Sequence, residues 1–403
     1  MAQSRRRFLR TIAGVGSLLL TGAAIQRSME QRSGRSAESK SVLLARSSES
    51  LRAALGFLAG RQSSDGAWRS DQYGAFREGD ALTAVVLWAM QKAPLELAAA
   101  GVFTRGLRWL ERLTDSQRPL AETPCELRYP LFTASYAAQV FANTGDARRG
   151  AQWAAIIEEL RISSALGWPE NDPSCGAWGD SPFPPKLPKD TQPPPDMLAP
   201  NLSATVLGLR SLAACKRPGG GLRFSLPFIE TCQNFAASAE FDFDDGGFFF
   251  APRDSVRNKA GTAGVDASGR LRFHSYGSAT SDGFLALHLC GCGLDHPRTH
   301  AAAAWLQRRA DGLNHKGTWM PGRAAGRDSL TFYYAQAFAD TLAILSCEQR
   351  FRDWAISQHE RLAEDLIARQ RDDGGWQGVA PNSCEDDPVL ATAFGIRALA
   401  RFP

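Results

Sequence analysis

Asp65-Gly66-Ala67-Trp68 is a short turn that follows a helix-like stretch, and turns of the same kind recur along the chain. The others are Cys175-Gly176-Ala177-Trp178, Asp245-Gly246-Gly247-Phe248, Gly317-Thr318-Trp319 and Asp373-Gly374-Gly375-Trp376. Glycine permits a tight turn, and the aromatic residue after it can clamp the turn to a neighbouring element. Recurrence at intervals of tens of residues indicates that one helical hairpin is used several times. The sequence therefore predicts a repeat protein.

Two kinds of helical stretch alternate around these turns. Six stretches are apolar on one stripe only and are predicted to be half exposed: 47–60, 101–114, 149–163, 225–238, 297–310 and 353–370. Six others are apolar almost all round and are predicted to be enclosed: 80–91, 131–143, 201–215, 277–292, 331–345 and 388–402.

This alternation is what a double-walled barrel requires, because its inner helices contact the outer wall on one side and the barrel interior on the other. An open solenoid would also alternate, but it would need a polar capping repeat, and the last stretch here stays apolar to the chain end. The predicted fold is therefore all-α, a closed (α/α)6 toroid of six helical hairpins.

Two segments interrupt the helical pattern. Residues 180–200 contain eight prolines, which exclude a helix and predict a long loop. This loop is either an insertion that crosses the barrel rim or a lid or docking strap, so 180–200 is a candidate partner contact. Residues 252–272 are rich in glycine and charge and are predicted to be irregular.

The N-terminal stretch Ser4-Arg5-Arg6-Arg7-Phe8-Leu9-Arg10 precedes an apolar run from Thr11 to Ile25. This pattern resembles a bacterial twin-arginine export signal, with cleavage expected near Ala24. The run has 15 residues, whereas about 20 are needed to span a bilayer, so no stable membrane span is expected. The predicted organisation is a signal peptide at 1–24, a flexible linker at 25–46 and a toroid domain at 47–403. The resemblance implies export by the twin-arginine pathway to the periplasm or the extracellular space.

Composition narrows the classes of partner and cofactor. The formal net charge is +4 at pH 7, and the predicted signal holds four arginines and no acidic residue, so the remainder is close to neutral. We therefore expect no nucleic-acid partner. The eight cysteines form no CxxC pair and show no other metal-ligand spacing. Most of them are predicted to be small core residues, and no metal or other cofactor is expected.

Two of the repeats resemble the Gln-Trp repeat of squalene-hopene cyclases and their relatives in the prenyltransferase superfamily. The matching residues are Arg52, Ala53, Phe57, Leu58, Gln62, Gly66 and Trp68 in one repeat, and Arg361, Leu366, Gln370, Gly374 and Trp376 in the other. The other three turns keep the glycine and the aromatic residue but lack the glutamine at that spacing. The resemblance extends over about residues 47–402 and implies that the glutamine ties the end of an outer helix to the next turn while the tryptophan stacks on it. Because those roles are structural, the motif predicts a fold and not a reaction.

The cyclases of this family use an Asp-x-Asp-Asp motif, in which the central carboxylic acid donates a proton to an alkene. Asp242-Phe243-Asp244-Asp245 has this spacing, but it runs directly into a repeat turn, whereas the family motif opens an inner helix. By position, the equivalent stretch is 276–282, where hydroxyl side chains replace most of the acids and Asp282 remains. Asp244 and Asp282 are therefore the candidate catalytic residues, although Asp244 is most simply explained as part of a solvated turn.

Protein prenyltransferases of the same fold bind zinc through an aspartate, a cysteine two residues later and a histidine on a later inner helix. Here Phe284 stands two residues after Asp282, and the stretch 331–345 has no histidine, so no zinc site is predicted. His288 lies on the same inner stretch as Asp282 and is predicted to be a hydrogen-bonded core residue.

Polar residues at the ends of the inner helices are candidates for ligand binding, because in a closed toroid these ends face the mouth of the cavity. They are Asp80, Asn201, Tyr276, Tyr333 and Tyr334. Asp80 is equally explained as a helix cap. The two adjacent tyrosines, with Phe332 and Phe338, either form an aromatic surface for an isoprenoid chain or a carbocation or belong to the core.

The resemblance implies an exported protein that binds an isoprenoid or another apolar small molecule or lipid in its central cavity. If it is an enzyme, the expected activity is terpene cyclase-like acid catalysis. Two alternatives stay open. Polysaccharide lyases and glycosidases are also built on exported α/α toroids, and a non-catalytic interaction scaffold is the other alternative.

Overall fold

The computed structural model describes residues 40–93, 100–116, 127, 129–187, 198–216, 221–236 and 240–402. The predicted signal peptide at 1–24 and most of the predicted linker at 25–46 lie outside these residues. A helix begins at residue 40, ahead of the predicted domain start at 47. The chain divides into two compact units, Met1–Ser48 and Glu49–Pro403, and the barrel belongs to the second.

Helices dominate the described residues, and most lie close to the positions that the sequence pattern predicts. In chain order they are α1 (40–60), α2 (Asp80–Met90), α3 (Ala100–Ser116), α4 (Pro130–Thr144), α5 (Ala147–Glu159), α6 (Leu202–Ala214), α7 (Leu226–Thr231), α8 (Gly277–Leu289), α9 (Pro297–Arg309), α10 (Ala324–Asp328), α11 (Thr331–Leu345), α12 (Arg352–Ala368) and α13 (Pro388–Leu399).

Six helices form a closed inner ring. Helix α2 packs on α4, α4 on α6, α6 on α8, α8 on α11 and α11 on α13, and α13 packs back on α2. Outside this ring, α3 packs on α2, α5 on α4, α9 on α8, and α12 on α11 and α13. The prediction of an all-α (α/α)6 toroid is therefore confirmed.

Burial explains why the two kinds of helix differ in sequence. All eleven residues of α2 are buried, from Asp80 to Met90, because this helix has neighbours on both sides. In the outer helix α9 only one face is buried, and its buried residues are Thr299, Ala302, Ala303, Trp305 and Leu306. Since an enclosed helix cannot expose a polar stripe, the inner helices lack the amphipathic period that marks the outer ones.

In two of the repeat turns the tryptophan joins an outer helix to the next inner helix. The indole N–H of Trp68 donates to the Leu58 carbonyl at 2.7 Å, and its backbone N–H donates to Thr83 Oγ1 at 3.0 Å. Trp376 repeats both bonds, to the Leu366 carbonyl at 2.8 Å and to Thr392 Oγ1 at 2.9 Å. These two turns therefore anchor their hairpins at a threonine near the start of an inner helix.

The glutamine of the repeat ties one hairpin to the next. Gln62 Nε2 donates to the carbonyl oxygens of Gly66 and Val102, both at 2.9 Å. Gln370 Nε2 donates to Gly374 O at 2.7 Å and to Ser50 O at 2.9 Å, which links the last hairpin to the first helix of the barrel. The roles that the resemblance implied for these glutamines are therefore present in the structure.

Gln233 makes the same pair of bonds at a spacing that the sequence analysis did not recognise. Its Nε2 donates to Gly246 O at 3.0 Å and to Arg298 O at 2.9 Å. The predicted outer helix at 225–238 is in fact only α7, Leu226–Thr231, so the glutamine follows a shorter helix and stands farther from its turn. In another repeat, Arg161 Nε donates to Gly176 O at 3.1 Å.

The two predicted irregular segments differ in outcome. Residues 252–272, predicted to be irregular, contribute to a two-stranded antiparallel sheet of β1 (Thr262–Val265) and β2 (Leu271–Phe273). The turn between these strands is built on Asp266, whose Oδ1 accepts the backbone N–H groups of Ser268 and Arg270 at 3.0 Å. In the proline-rich segment, the described parts 180–187 and 198–200 contain no helix, and 188–197 lie outside the described residues.

Cysteine and hydrophobicity patterns add two facts. The seven described cysteines are all free, and Cys232, Cys290 and Cys292 are buried. Within the described ranges, the structure contains no helix with the length and apolar character needed to cross a membrane.

Candidate functional site

Asp282 is the carboxyl group that the fold places inside the inner ring. It lies on α8 and is 1% exposed. Its Oδ2 accepts hydrogen bonds from Ser203 Oγ of α6 at 3.0 Å and from the Tyr333 hydroxyl of α11 at 2.9 Å. Its Oδ1 is buried and has no hydrogen-bond partner among the described residues. We call Ser203, Asp282 and Tyr333 the Asp282 cluster.

Burial shifts the proton affinity of this carboxyl group. Desolvation raises the pKa of Asp282 to about 6, although the positive charge of Arg210 and the bonds from Tyr333 and Ser203 act in the opposite direction. Desolvation also raises the pKa of Tyr333 well above its ordinary value, so its hydroxyl remains a hydrogen-bond donor. Asp282 can therefore exist in both protonation states near neutral pH.

Aromatic rings from four inner helices surround the same interior. Tyr333 meets Phe394 of α13 edge-on at 5.8 Å between ring centroids. Tyr136 of α4 lies 4.8 Å from Trp88 of α2 and 4.7 Å from Phe132. The charge of Asp282 contributes to the raised pKa of Tyr136, which places both side chains in one electrostatic environment. The interior thus combines a titratable acid with aromatic faces.

Two predicted ligand residues lie where inner helices begin. Asp80 Oδ2 accepts from Thr133 Oγ1 at 3.0 Å, while its Oδ1 is buried without a partner among the described residues, and burial raises its pKa. Asn201 caps α6, since its Oδ1 accepts the Ala204 N–H at 2.8 Å, and its Nδ2 donates to Asp180 at 2.9 Å.

Asp180 is a site residue that the sequence analysis missed. It lies in the proline-rich segment and is held by the Tyr129 hydroxyl at 3.3 Å, by Asn201 and by Arg257 Nη1 at 3.0 Å. Burial raises its pKa although Arg257 opposes the shift. A single aspartate in a loop gave no pattern to recognise.

Glu385 is the second missed carboxyl group. It is 1% exposed and accepts the backbone N–H groups of Phe332 at 2.9 Å and Tyr333 at 2.6 Å, at the start of α11. Burial raises its pKa to about 8, against the opposing effect of those bonds and of Lys259. Glu385 therefore fixes the backbone of the residue whose hydroxyl reaches Asp282. The run Glu385-Asp386-Asp387 before α13 was the available signal in the sequence.

The remaining two tyrosines pack in an aromatic group around His315. Tyr334 is fully buried and stacks on His315 and Phe338, with ring centroids 4.7 Å and 5.2 Å apart, respectively. Tyr276 lies 5.8 Å from His315 and 5.3 Å from Trp319. His315 Nε2 accepts the N–H of residue 278 at 2.9 Å, and desolvation lowers the pKa of His315 to about 4.

Asp244 and His288 lie away from the Asp282 cluster. Asp244 is partly exposed in a turn, where its Oδ2 accepts the backbone N–H groups of Glu240 and Phe241, both at 3.1 Å. His288 was predicted to be a core residue, but it is exposed in the last turn of α8, where it lines a cavity. The described residues contain no group of three or more His, Cys, Asp or Glu side chains arranged to hold a metal ion.

No protein-family model matches the sequence, and neither does any curated protein. Similar solved structures include the type II terpene cyclase MstE from Scytonema in complex with geranylgeranyl dihydroxybenzoate, at 15% identity and a TM-score of 0.55, covering 89% of this chain and 98% of that one. The GH76A α-1,6-mannanase from Salegentibacter matches at 11% identity and a TM-score of 0.54, covering 88% of this chain and 98% of the mannanase. A protein from Actinoplanes matches at 14% identity and a TM-score of 0.53, covering 88% of this chain and 99% of that protein. The chain thus has the α/α toroid fold of the terpene cyclase and the mannanase.

Proposed function

We propose that this protein binds an apolar, isoprenoid-like ligand within the inner ring and that Asp282 donates a proton to it. The observation that carries the proposal is a buried carboxyl group with one oxygen unpartnered among the described residues and a pKa raised to about 6. An acid can protonate an alkene only if it holds its proton at the working pH, and desolvation provides that condition.

The hydrogen bonds of the Asp282 cluster assign different roles to the two carboxyl oxygens. Oδ2 accepts from Tyr333 and Ser203, so the proton of the acid form is expected on Oδ1. After transfer, the same two donors stabilise the carboxylate, and the positive charge of Arg210 does so as well. The cluster therefore stabilises the base form of the acid without hydrogen-bonding to the oxygen that carries the proton.

Aromatic faces complete the chemistry that such a site requires. Proton transfer to an alkene leaves a carbocation on the ligand, and ring faces attract a cation through their quadrupole. Phe394 and Tyr136 supply rings in the same interior. MstE, one of the similar structures, is a type II terpene cyclase, which supports this assignment as an analogy of fold.

A carbohydrate-active enzyme is the alternative that the mannanase neighbour raises. Asp282 and Glu385 both contact Tyr333, which provides the pair of carboxyl groups that glycoside hydrolysis needs. However, Glu385 is engaged by backbone N–H groups. The ten tryptophans of the chain are all buried or half-buried, so none offers an exposed platform for a sugar ring. The terpenoid proposal therefore has more support.

Mass spectrometry of solvent extracts tests the proposal. The full-length protein is incubated with squalene or with a total lipid extract, beside the variant Asp282→Asn and the control Asp244→Asn. We expect a new product from the wild type and from the control, and a loss of about a hundredfold or more in Asp282→Asn, as is typical for removal of a general acid.

Three outcomes separate the hypotheses. Unchanged turnover in Asp282→Asn, or loss of turnover in Asp244→Asn, would reject Asp282 as the acid. A lipid that is retained without conversion would leave the binding proposal standing and reject the reaction. Release of sugar from an α-1,6-mannan in a parallel incubation, with no lipid bound, would favour the carbohydrate alternative. No new product, no retained lipid and no released sugar would favour a scaffold, with 180–200 as its contact.

We also infer export from the Ser4–Arg10 motif and the apolar run that follows it. Replacing Arg5 and Arg6 together by lysine keeps the charge but removes the paired arginines. Cell fractionation is expected to show the wild type outside the cytoplasm and the double variant inside it. Equal distribution of the two proteins would contradict export by this pathway.

A further inference from the structure

A cavity opens at the C-terminal ends of the inner helices, and the proposed function does not use it. Its volume is about 550 Å³. Three arginines and two carboxylates line it, together with Gln139 and His288: Arg210, Arg397, Arg401, Asp340 and Glu348. We call Arg210, Arg397 and Arg401, together with Asp340, the arginine pocket. A cavity of this size accommodates a small organic molecule or a hydrated ion.

The arginine pocket has more positive than negative charge. Asp340 bonds Arg210 Nη1 at 2.7 Å and Arg401 Nε at 2.6 Å, so its carboxylate is shared between two guanidinium groups. Arg397 has no carboxylate of its own. Lys92 is exposed to the positive charge of the same arginines. Burial and the charges of Arg401 and Arg397 lower its pKa. This excess of cations would be offset by an anion in the cavity.

Arg397 is held in a fixed orientation. Its guanidinium group lies 4.0 Å from the ring centroid of Trp88. The indole N–H of Trp88 donates to Gln139 Oε1 at 3.0 Å, and Gln139 Nε2 donates in turn to the Ser135 carbonyl at 3.1 Å. The ring under Arg397 is therefore locked, which removes much of the entropy that a long side chain would lose on binding a ligand.

Burial of the Arg397 charge without polar partners is unfavourable. The residue is 6% exposed, and its Nε and Nη1 have no hydrogen-bond partner among the described residues. Desolvation lowers its pKa to about 10. A buried charge is normally paired, so an unpaired one at a cavity indicates that something else compensates for it.

Hydrogen bonding to the carbonyl groups of a helix end does not explain the orientation of Arg397. Cations near the C-terminus of a helix are favourable, and other arginines here serve that purpose by bonding carbonyl oxygens. Arg223 Nη1 donates to Cys290 O at 3.4 Å after α8, and Arg352 Nε donates to Ser346 O at 3.2 Å after α11. Arg397 makes no such bond within the described part of the chain.

We propose that the arginine pocket is a binding site for a carboxylate or phosphate group, with Arg397 as its main contact. A guanidinium group presents a planar fork of donors that matches both anions. Arg210 on α6 and Arg401, just after the end of α13, contribute further positive charge. Asp340 keeps those two side chains in place. The charge of Arg210 reaches Asp282 as well, but anion binding at Arg397 does not depend on the proposed acid chemistry.

Titration calorimetry of the full-length protein with inorganic phosphate and, separately, with succinate tests this proposal at physiological salt. We expect saturable binding of at least one of the two anions. Arg397→Gln is expected to weaken it about tenfold or more, because it removes a charge-assisted hydrogen bond. The matched control is Arg148→Gln, which changes an arginine whose side chain is 60% exposed on α5.

The pattern of binding identifies the source of the anion. Binding of phosphate alone would indicate a phosphorylated ligand, and binding of succinate alone a carboxylate ligand. A rise in melting temperature with the bound anion, present in the wild type and absent in Arg397→Gln, would support the site even if the variant is less stable. Absence of saturable binding of either anion, or equal affinity in the wild type and Arg397→Gln, would overturn the proposal.

Discussion

The two ends of the inner ring carry opposite charges. Where the inner helices begin, buried or partly buried carboxyl groups such as Asp80, Asp180 and Glu385 have raised pKa values. Where they end, Arg210, Arg397 and Arg401 surround a cavity. The helices run in the same direction, since Asp80 at the start of α2 bonds Thr133 near the start of α4.

The helix dipole accounts for the division of acidic and basic side chains between the two ends. It does not account for every unpartnered atom in these side chains. The N-terminus of a helix favours negative groups and the C-terminus favours positive ones, so parallel inner helices sort acids and bases to opposite ends without any functional requirement. The dipole does not explain why Asp282 Oδ1 and the Arg397 nitrogens Nε and Nη1 lack partners among the described residues. These atoms are the ones on which the two proposals rest.

The largest expected effect concerns the pH dependence of turnover. If protonated Asp282 is the active form, the initial rate should be high below its pKa of about 6 and fall as the pH rises through that value. Between pH 5 and pH 8 the fall should be about a hundredfold, in proportion to the protonated fraction. Initial rates with the best lipid substrate measure this, and a flat profile or one that rises with pH would exclude Asp282 as the acid.

The next effect is on stability. The native pKa of Asp282 is above the ordinary value of 3.8, so between about pH 4 and pH 6 the native state binds more protons than the unfolded state, and stability falls as the pH rises. Asp282→Asn removes this titration while keeping an acceptor for Tyr333 and Ser203. The free energy of unfolding of the variant should therefore rise relative to the wild type by about 2.4 kcal/mol between pH 4 and pH 7. Urea unfolding across that range tests this, and Asp244→Asn should show no such gain.

A smaller effect separates the capping role of Glu385 from its charge. The side chain accepts the N–H groups of Phe332 and Tyr333, and Gln can still accept through one oxygen whereas Ala cannot. Glu385→Ala should lower the free energy of unfolding by about 1–2 kcal/mol relative to Glu385→Gln, as for loss of a helix cap. Equal stability of the two variants in urea would show that these bonds do not hold the start of α11.

The smallest expected effect links the two ends of the ring. The charge of Arg210 lowers the pKa of Asp282, so Arg210→Gln should move the midpoint of the pH–rate profile upward. The upward shift of the midpoint is the test, because a merely structural loss would lower the rate without moving the midpoint. Arg148→Gln serves again as the control, and a midpoint that stays in place in Arg210→Gln would show that the two ends are electrically independent.

Prediction from the sequence succeeded where the signal is local. Gln62 and Trp68 lie within one repeat, and the resemblance that they carry implied a tie that the structure contains. Gln233 makes the same bonds but follows a shortened helix, and a change of spacing removes a motif without removing its role. The hairpin of β1 and β2 was missed because glycine and charge dominate its composition.

Only part of the candidate site could be predicted from the sequence. Asp282 was recognised through its position on an inner stretch, and Tyr333 through its place at a helix start. Their contact joins residues that are 51 apart in sequence, and the bond from Ser203 to Asp282 spans 79. Asp180 and Glu385 lie in loops, where no periodic pattern marks a buried side chain.

The sequence by itself determined the alternation of helices, the turns that connect them and the closed all-α ring, because these depend on apolar period and on glycine, which are local properties. Only the tertiary structure decided which polar groups meet inside the ring and which lack partners in the described residues. That outcome depends on burial and on contacts between helices far apart in the chain. Asp282 acquires a pKa of about 6, and Arg397 an unpaired buried charge, only when the ring has closed around them.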